Sequence, residues 1–333
     1  TYLESIKYLL GNKSKRLLPL VLIFLVSSLV DLLGIGFIGG YIAIILDPLF
    51  ITKVQEILPI ISYLNNFNHE ETILLIGYVL FFTFLVKFCL VIYINHRIFN
   101  FAYFEQAKIQ KIMINGFLHQ DYETFIMSKS AESLASISQY SSLYKDALVS
   151  GLQILSSSLV IIAALIMLAI VSIKTVALLI LIIFIIFYAY NFVFARRLNA
   201  DGRAFTKGAA NLFKGTQEAA EGIKEIKTLG KEAFFIDSVS SSADVIARGA
   251  VRLNIFTLLP RNIIEVALIG FIVLIITVNV LLNEDITAVL SILSVFAAAM
   301  IRITPLISQS QSSANSIVFS REGIILLAKI MKD

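Results

Sequence analysis

The sequence predicts an all-α membrane protein with six transmembrane helices and long cytoplasmic extensions. Three observations predict it. Of the 333 residues, 58% are hydrophobic and only 15% charged, and the mean hydropathy is +0.88, a balance that leaves too little polar surface to cover a soluble domain of this size. Six apolar stretches are each long enough, at roughly 20 residues, to cross about 30 Å of hydrocarbon. The five prolines are Pro19, Pro48, Pro59, Pro260 and Pro305, so residues 60–259 contain no proline and helices there can run on beyond the bilayer.

The elements follow in order along the chain. Residues 1–16 begin with Thr1–Leu10, where Tyr2, Leu3, Ile6, Leu9 and Leu10 share one side and Glu4 and Lys7 the other. That pattern predicts a short amphipathic helix, either lying on the inner membrane surface or forming an ordinary helix end. The six-span region is 17–310, and its first span is Leu17–Leu46. The outer loop 47–71 carries Leu49, Phe50, Val54, Ile57, Leu58, Ile60 and Ile61 at helical spacing, an amphipathic helix on the outer surface or a cap on spans one and two. Span two, Thr72–Ile94, runs without a breaker to Gln120, a helix about 73 Å long. The chain is expected to reverse at Gln120-Asp121, before Tyr122 and Phe125, through a short transverse helix. Spans three and four, Leu148–Val171 and Thr175–Ala195, form a hairpin closed by a few residues on the outside. A second cytoplasmic reversal is expected at Asp201-Gly202 and Gly208. Spans five and six, Asn262–Leu282 and Ile286–Ser308, form the last hairpin, and 311–333 extends into the cytoplasm.

Charge sets the orientation. With both termini inside, the cytoplasmic segments Thr1–Arg16, Asn95–Ala147, Arg196–Arg261 and Arg302–Asp333 hold 24 of the 27 Lys and Arg. The outer loops hold Asp47, Glu56, Glu70, Glu71, Glu284 and Asp285, as the positive-inside rule requires. The net charge of +4 is thus read as loop bias rather than as nucleic-acid binding. One cysteine, Cys89, and three scattered histidines, His69, His96 and His119, offer neither a disulfide framework nor a metal-ligand spacing. No G-x-x-x-x-G-K-[ST] occurs: Gly230-Lys231 is followed by Glu232, so no P-loop binds ATP within this chain.

Cytoplasmic segments of about 50 residues between spans two and three and about 65 between four and five are not loops. Long helical hairpins in these places resemble the transmembrane domain of ABC exporters of the six-helix type. The local match is Glu218-Ala-Ala-Glu-Gly222-Ile-Lys-Glu-Ile-Lys-Thr-Leu-Gly230-Lys-Glu232, which resembles the exporter segment at the start of the fifth helix. As a bare pattern it is amphipathic, with Ile223, Ile226 and Leu229 on one stripe and Lys224, Lys227 and Lys231 on the other. The resemblance implies an ABC type-1 transmembrane domain acting as a domain-swapped homodimer in a bacterial inner membrane. It makes the first ten residues an elbow helix, and 121–127 and 204–213 the coupling helices. The aromatics there, Tyr122, Phe125, Phe205 and Phe213 with Asp121 beside them, would fill grooves on ATPase domains or pack within their own hairpins. ATP and Mg would belong to a nucleotide-binding domain, fused or separate, which the family places after the sixth helix. The chain starts at Thr1 rather than methionine and is read as a piece of a longer protein or as a permease with a separate ATPase.

Ionisable groups at membrane depth are functional candidates by default. Lys87 and Arg302 lie about 24 Å from the outer ends of their spans, Glu265 about 25 Å and Arg261 about 31 Å. Arg261 and Glu265 are one turn apart and can pair, and a cation near the interface can snorkel. Three cations in one layer, doubled in a dimer, suit a phosphate or pyrophosphate head group. Lys87, Pro260-Arg261 with Glu265, and Arg302-Ile-Thr-Pro305 resemble the branch of exporters that flips lipid-linked oligosaccharides. That resemblance implies a pyrophosphate-handling belt, and an outer-loop helix contacting the polyprenyl tail or merely capping its spans. Lys87 stands where an arginine belongs in the belt, which removes bidentate recognition at that point. The rival readings are an exporter of another cargo, such as a drug, peptide or lipid, and a six-span scaffold with no ATPase.

Overall fold

The computed structural model describes residues 2–10, 19–30, 34, 41, 69–119, 121, 136–171, 173–281 and 286–332. Among these the chain is helical, with no strand. The amphipathic N-terminal segment forms α1, Tyr2–Leu10. α2 is described over Pro19–Val30. α3 is the 50-residue helix His69–Leu118. A five-residue π-helical turn, Ser136–Tyr140, leads into α4, Ser141–Val171. α5, Ile173–Glu221, follows after a single residue. The seven-residue α6 is Ile223–Leu229, α7 is Glu232–Leu281, and α8 is Ile286–Ile330.

Four of these helices are long and apolar enough to cross a membrane, through Ile73–Leu118, Ile137–Ala169, Val176–Glu221 and Glu232–Thr277. The chain is a multi-pass membrane protein. At 1.5 Å per residue α3, α5 and α7 are each about 75 Å long, more than twice the hydrocarbon thickness. On α3 the rings of Tyr78, Phe81, Phe82 and Phe88 and the side chains of Leu74 and Ile92 are exposed, an apolar surface suited to lipid. The outer-loop residues Leu49, Phe50, Val54, Ile57, Leu58 and Ile61 lie outside the described residues.

α8 is the central helix, packed along α4 and also against α7 and α5, while α3 packs on α4. Towards one end of the helices, Ala164 and Leu168 of α4, Val176 and Leu179 of α5, Ile264 and Phe271 of α7, and Ile303 and Ile307 of α8 form one buried cluster. Hydrocarbon solvates such side chains as well as protein does, so close packing rather than water exclusion holds this part together. At the opposite end, Ile109 and Met113 of α3, Tyr144 and Ala147 of α4, and Ile324, Leu327 and Ala328 of α8 form another. Leu9 of α1 belongs to that cluster, and Tyr8 Oη donates to the Met331 carbonyl at 3.1 Å. The apolar face of α1 is therefore at least partly covered by the end of α8.

The reversal expected at Asp201-Gly202 is not there. One helix runs from Ile173 to Glu221, and α5 and α7 pack antiparallel against each other. Asp201 and Gly202 serve that packing: the Asp201 carboxylate accepts from Arg252 Nη1 of α7 at 2.7 Å. A Cβ at Gly202 would collide with the Phe319 carbonyl of α8, so the glycine marks a close helix approach rather than a break. The chain turns instead through α6. Gly230 ends it at φ 60°, ψ 36°, a left-handed conformation that glycine adopts without strain, and the Lys231 N–H returns to the Ile226 carbonyl at 3.1 Å. Past the turn, Lys227 Nζ meets Glu232 Oε1 at 3.2 Å.

Candidate functional site

Pro260 lies inside α7. Having no N–H, it leaves the carbonyl of Phe256, four residues earlier, without its helical donor. Two side chains from neighbouring helices supply the missing bond. Tyr190 Oη of α5 donates to the Phe256 carbonyl at 2.8 Å, and Asn315 Nδ2 of α8 donates to it at 2.8 Å. Asn315 Nδ2 also reaches Tyr190 Oη at 2.9 Å, and Gln311 Nε2 donates to Asn315 Oδ1 at 3.2 Å. Tyr190, Gln311 and Asn315 are all buried. Phe194 stands over both Tyr190 and Phe256, with ring centroids 4.9 and 5.2 Å away. The proline site thus ties α5, α7 and α8 at one point, and Gln311 Oε1 is buried there with no hydrogen-bond partner among the described residues.

A second polar seam joins α4 and α8. Ser157 Oγ lies 2.7 Å from Ser310 Oγ, and Ser313 Oγ donates to Gln153 Oε1 at 3.2 Å. Beside it opens a cleft of about 100 Å³ whose polar lining is Ser27, Asn95, Gln153, Ser156, Ser157 and Gln309, with no charged residue. That volume is room for about three waters.

Of the charged residues singled out in the sequence, Lys87 is buried on α3, its ammonium 5.7 Å from the Phe84 ring centroid. Arg261 directly follows Pro260 and Glu265 lies one turn further; both are exposed on α7, and among the described residues no ion pair joins them. Arg302 lies on α8 one turn before Leu306, a residue of the cleft lining. Lys87 stands on α3, which packs on α4, and Arg261 on α7, which packs against α5 and α8.

Among the residues expected to couple to an ATPase, Asp121 is exposed just beyond the end of α3, while Tyr122 and Phe125 lie outside the described residues. Phe205 is buried on α5 and packs edge-on against Phe319 at 5.1 Å. Phe213 is partly buried against the α1, α3, α4 and α8 cluster. Both aromatics of 204–213 thus sit inside the helical packing, on an unbroken helix.

The sequence reading missed the polar network. Its signal was present in Ser308-Gln-Ser-Gln-Ser-Ser-Ala-Asn-Ser316, eight polar residues in nine directly after an apolar span, combined with a proline that must free a carbonyl. Among the described residues no group of three His, Cys, Asp or Glu is placed to hold a metal ion. No protein-family model matches the chain.

Proposed function

We propose that the chain is the transmembrane part of an ATP-driven ABC exporter of the six-helix type. It works as a homodimer in a bacterial inner membrane with both termini cytoplasmic. Its substrate is an amphipathic anion, a pyrophosphate-linked lipid or lipid-linked oligosaccharide, moved from the inner leaflet outward. One observation carries the reading: α5 and α7, 49 and 50 residues long, outrun the bilayer by some 45 Å as a packed antiparallel pair closed by α6. A projection of that size is useful only with something to dock on, and nucleotide-binding domains with their ATP and Mg, fused or separate, fit that need. In this reading the docking element is α6, where the chain turns, rather than 204–213. Its exposed Ile223, Lys224 and Leu229 are the residues a partner would meet.

The belt of Lys87, Arg261 and Arg302 remains the substrate-binding part of the proposal, with Glu265 one turn from Arg261. It is completed only when two copies face one another. Flipping assays in vesicles reconstituted with the ATPase test it. Arg261→Ala and Arg302→Ala are each expected to lower flipping and substrate-stimulated ATP hydrolysis while basal hydrolysis stays near wild type. Unchanged flipping in both variants overturns the belt, and hydrolysis stimulated by uncharged drugs or peptides instead assigns another cargo.

A further inference from the structure

Four helices meet at the cleft beside the α4–α8 seam. Ser27 comes from α2, Asn95 from α3, Gln153 and Ser156 from α4, and Gln309 from α8. Asn95 stands where the apolar stretch Thr72–Ile94 ends, which sets the cleft near one edge of the hydrocarbon.

Several of these side chains keep hydrogen-bonding capacity. Ser27 is only 6% exposed, yet among the described residues its hydroxyl has no partner; a buried polar group in that condition calls for a water or a ligand. The hydroxyl of Ser156 and the amide of Gln309 have none either among the described residues. Asn95 Nδ2 donates to the Val91 carbonyl at 2.9 Å, which leaves its Oδ1 to accept. Gln153 Oε1 is taken by Ser313, which leaves its Nε2 to donate. Between these groups the walls are Ile94, Ile98 and Val160. The cleft therefore presents donors and acceptors from four sides, an apolar wall and no charge in its lining. An ion held there would lose water without gaining a counter-charge, and an alkyl chain would leave the polar groups unpaired. A ring that carries hydroxyls, each both donor and acceptor, and C–H faces between them satisfies both parts of the lining. At about 30 Å³ per water, the volume holds some three hydroxyl oxygens in place of waters, which is one edge of a single sugar ring.

We propose that this cleft is a binding site for one edge of a neutral sugar, either free or carried as the head of a membrane lipid. Ser27, Ser156 and Gln153 donate to the sugar hydroxyls, Asn95 accepts from one, and Ile98 and Val160 lie against the C–H face. The site does not rest on the transporter reading: it belongs to one chain and needs neither a nucleotide nor the cationic belt.

Saturation-transfer NMR on the purified chain in phosphatidylcholine nanodiscs, titrated with methyl β-glucoside, tests the assignment. Wild type is expected to bind methyl β-glucoside and to bind glucose 6-phosphate at least tenfold more weakly. Ser27→Ala and Ser156→Ala are each expected to weaken methyl β-glucoside about fivefold through one lost hydrogen bond, while Ser241→Ala, at an exposed residue of α7, leaves it unchanged. Since neither Ser27 nor Ser156 bonds within the described chain, alanine there removes no internal bond and circular dichroism is expected to match wild type. Absence of saturation transfer to methyl β-glucoside overturns the sugar, equal binding of glucose 6-phosphate overturns the neutral assignment, and unchanged binding in both alanine variants overturns the cleft as its place. Monoglucosyldiacylglycerol in the same nanodiscs separates the two sources: displacement of methyl β-glucoside at equal concentration assigns a lipid-borne sugar, and its retention overturns that source and assigns a free one.

Discussion

Asn315 and Tyr190 both donate to a carbonyl that a proline has orphaned, and this arrangement makes a residue-scale prediction with a sign. Replacing Asn315 by Leu leaves Phe256 with one donor, leaves Gln311 Nε2 with only the longer 3.5 Å bond to Asn191 Oδ1, and is expected to cost about 1–3 kcal/mol. Pro260→Ala returns an N–H to the helix, so in that background the same Asn315→Leu change is expected to cost about 1 kcal/mol less. Thermal unfolding midpoints of the two single variants and the double variant in micelles measure the difference; simple additivity would refute this account of the Phe256 carbonyl. Gly202 makes a second case. A methyl there must push α5 away from the α8 backbone, and Gly202→Ala is expected to lose about 1–3 kcal/mol. Gly116, where an added Cβ meets open space, is expected to gain about 0.5–1 kcal/mol from the same substitution. Opposite signs in one unfolding assay separate close packing from helix propensity.

At the scale of elements, the turn at α6 carries the pH prediction. The Glu232 carboxyl is held below its ordinary value of 4.5, first by its own backbone N–H at the start of α7 and then by Lys227. A depressed carboxylate adds stability that is present above its ordinary value and disappears as pH falls through the lowered one. Amide exchange at residues 231–235 is therefore expected to quicken below about pH 4.5 relative to the rest of α7, and Glu232→Gln is expected to remove the dependence. The long helices themselves were readable from the sequence, because apolar length and the proline-free stretch are local properties. The place of the second reversal was not. Asp201, Gly202 and Gly208 have the composition of a turn, yet each faces another helix: Asp201 meets Arg252, Gly202 meets Phe319, and Gly208 meets Val245 and Ile246. Only the packing shows whether a glycine bends a chain or lets a second one come close. The same limit applies to Phe205, whose apolar ring reads alike as a plug for a partner and as core, and whose neighbour Phe319 is 114 residues away. The charged candidates were legible as unusual residues within apolar spans. Their mutual placement was not, since it depends on which helices pack together.

For the whole molecule, topology is open to a direct test because Cys89 is the one cysteine in the chain. On a Cys89→Ser background, Lys174→Cys at the start of α5 is expected to react with an impermeant maleimide in intact cells. Thr228→Cys in α6 is expected to react only after the membrane is opened. The reverse pattern would invert the orientation drawn from the Lys and Arg distribution.

The antiparallel pair of α5 and α7 also has a mechanical meaning. Its members are joined by a charged bond at Asp201 and Arg252, locked against α8 at Gly202, and closed by a turn that only a left-handed residue completes. Such a body tilts as one piece rather than flexing along its length. Over a projection of about 45 Å, a tilt of roughly 5° at the membrane displaces the tip by about 4 Å. Small rearrangements among the apolar spans and movements of several ångströms at α6 are then two ends of one lever, and force applied at either end is felt, geared, at the other.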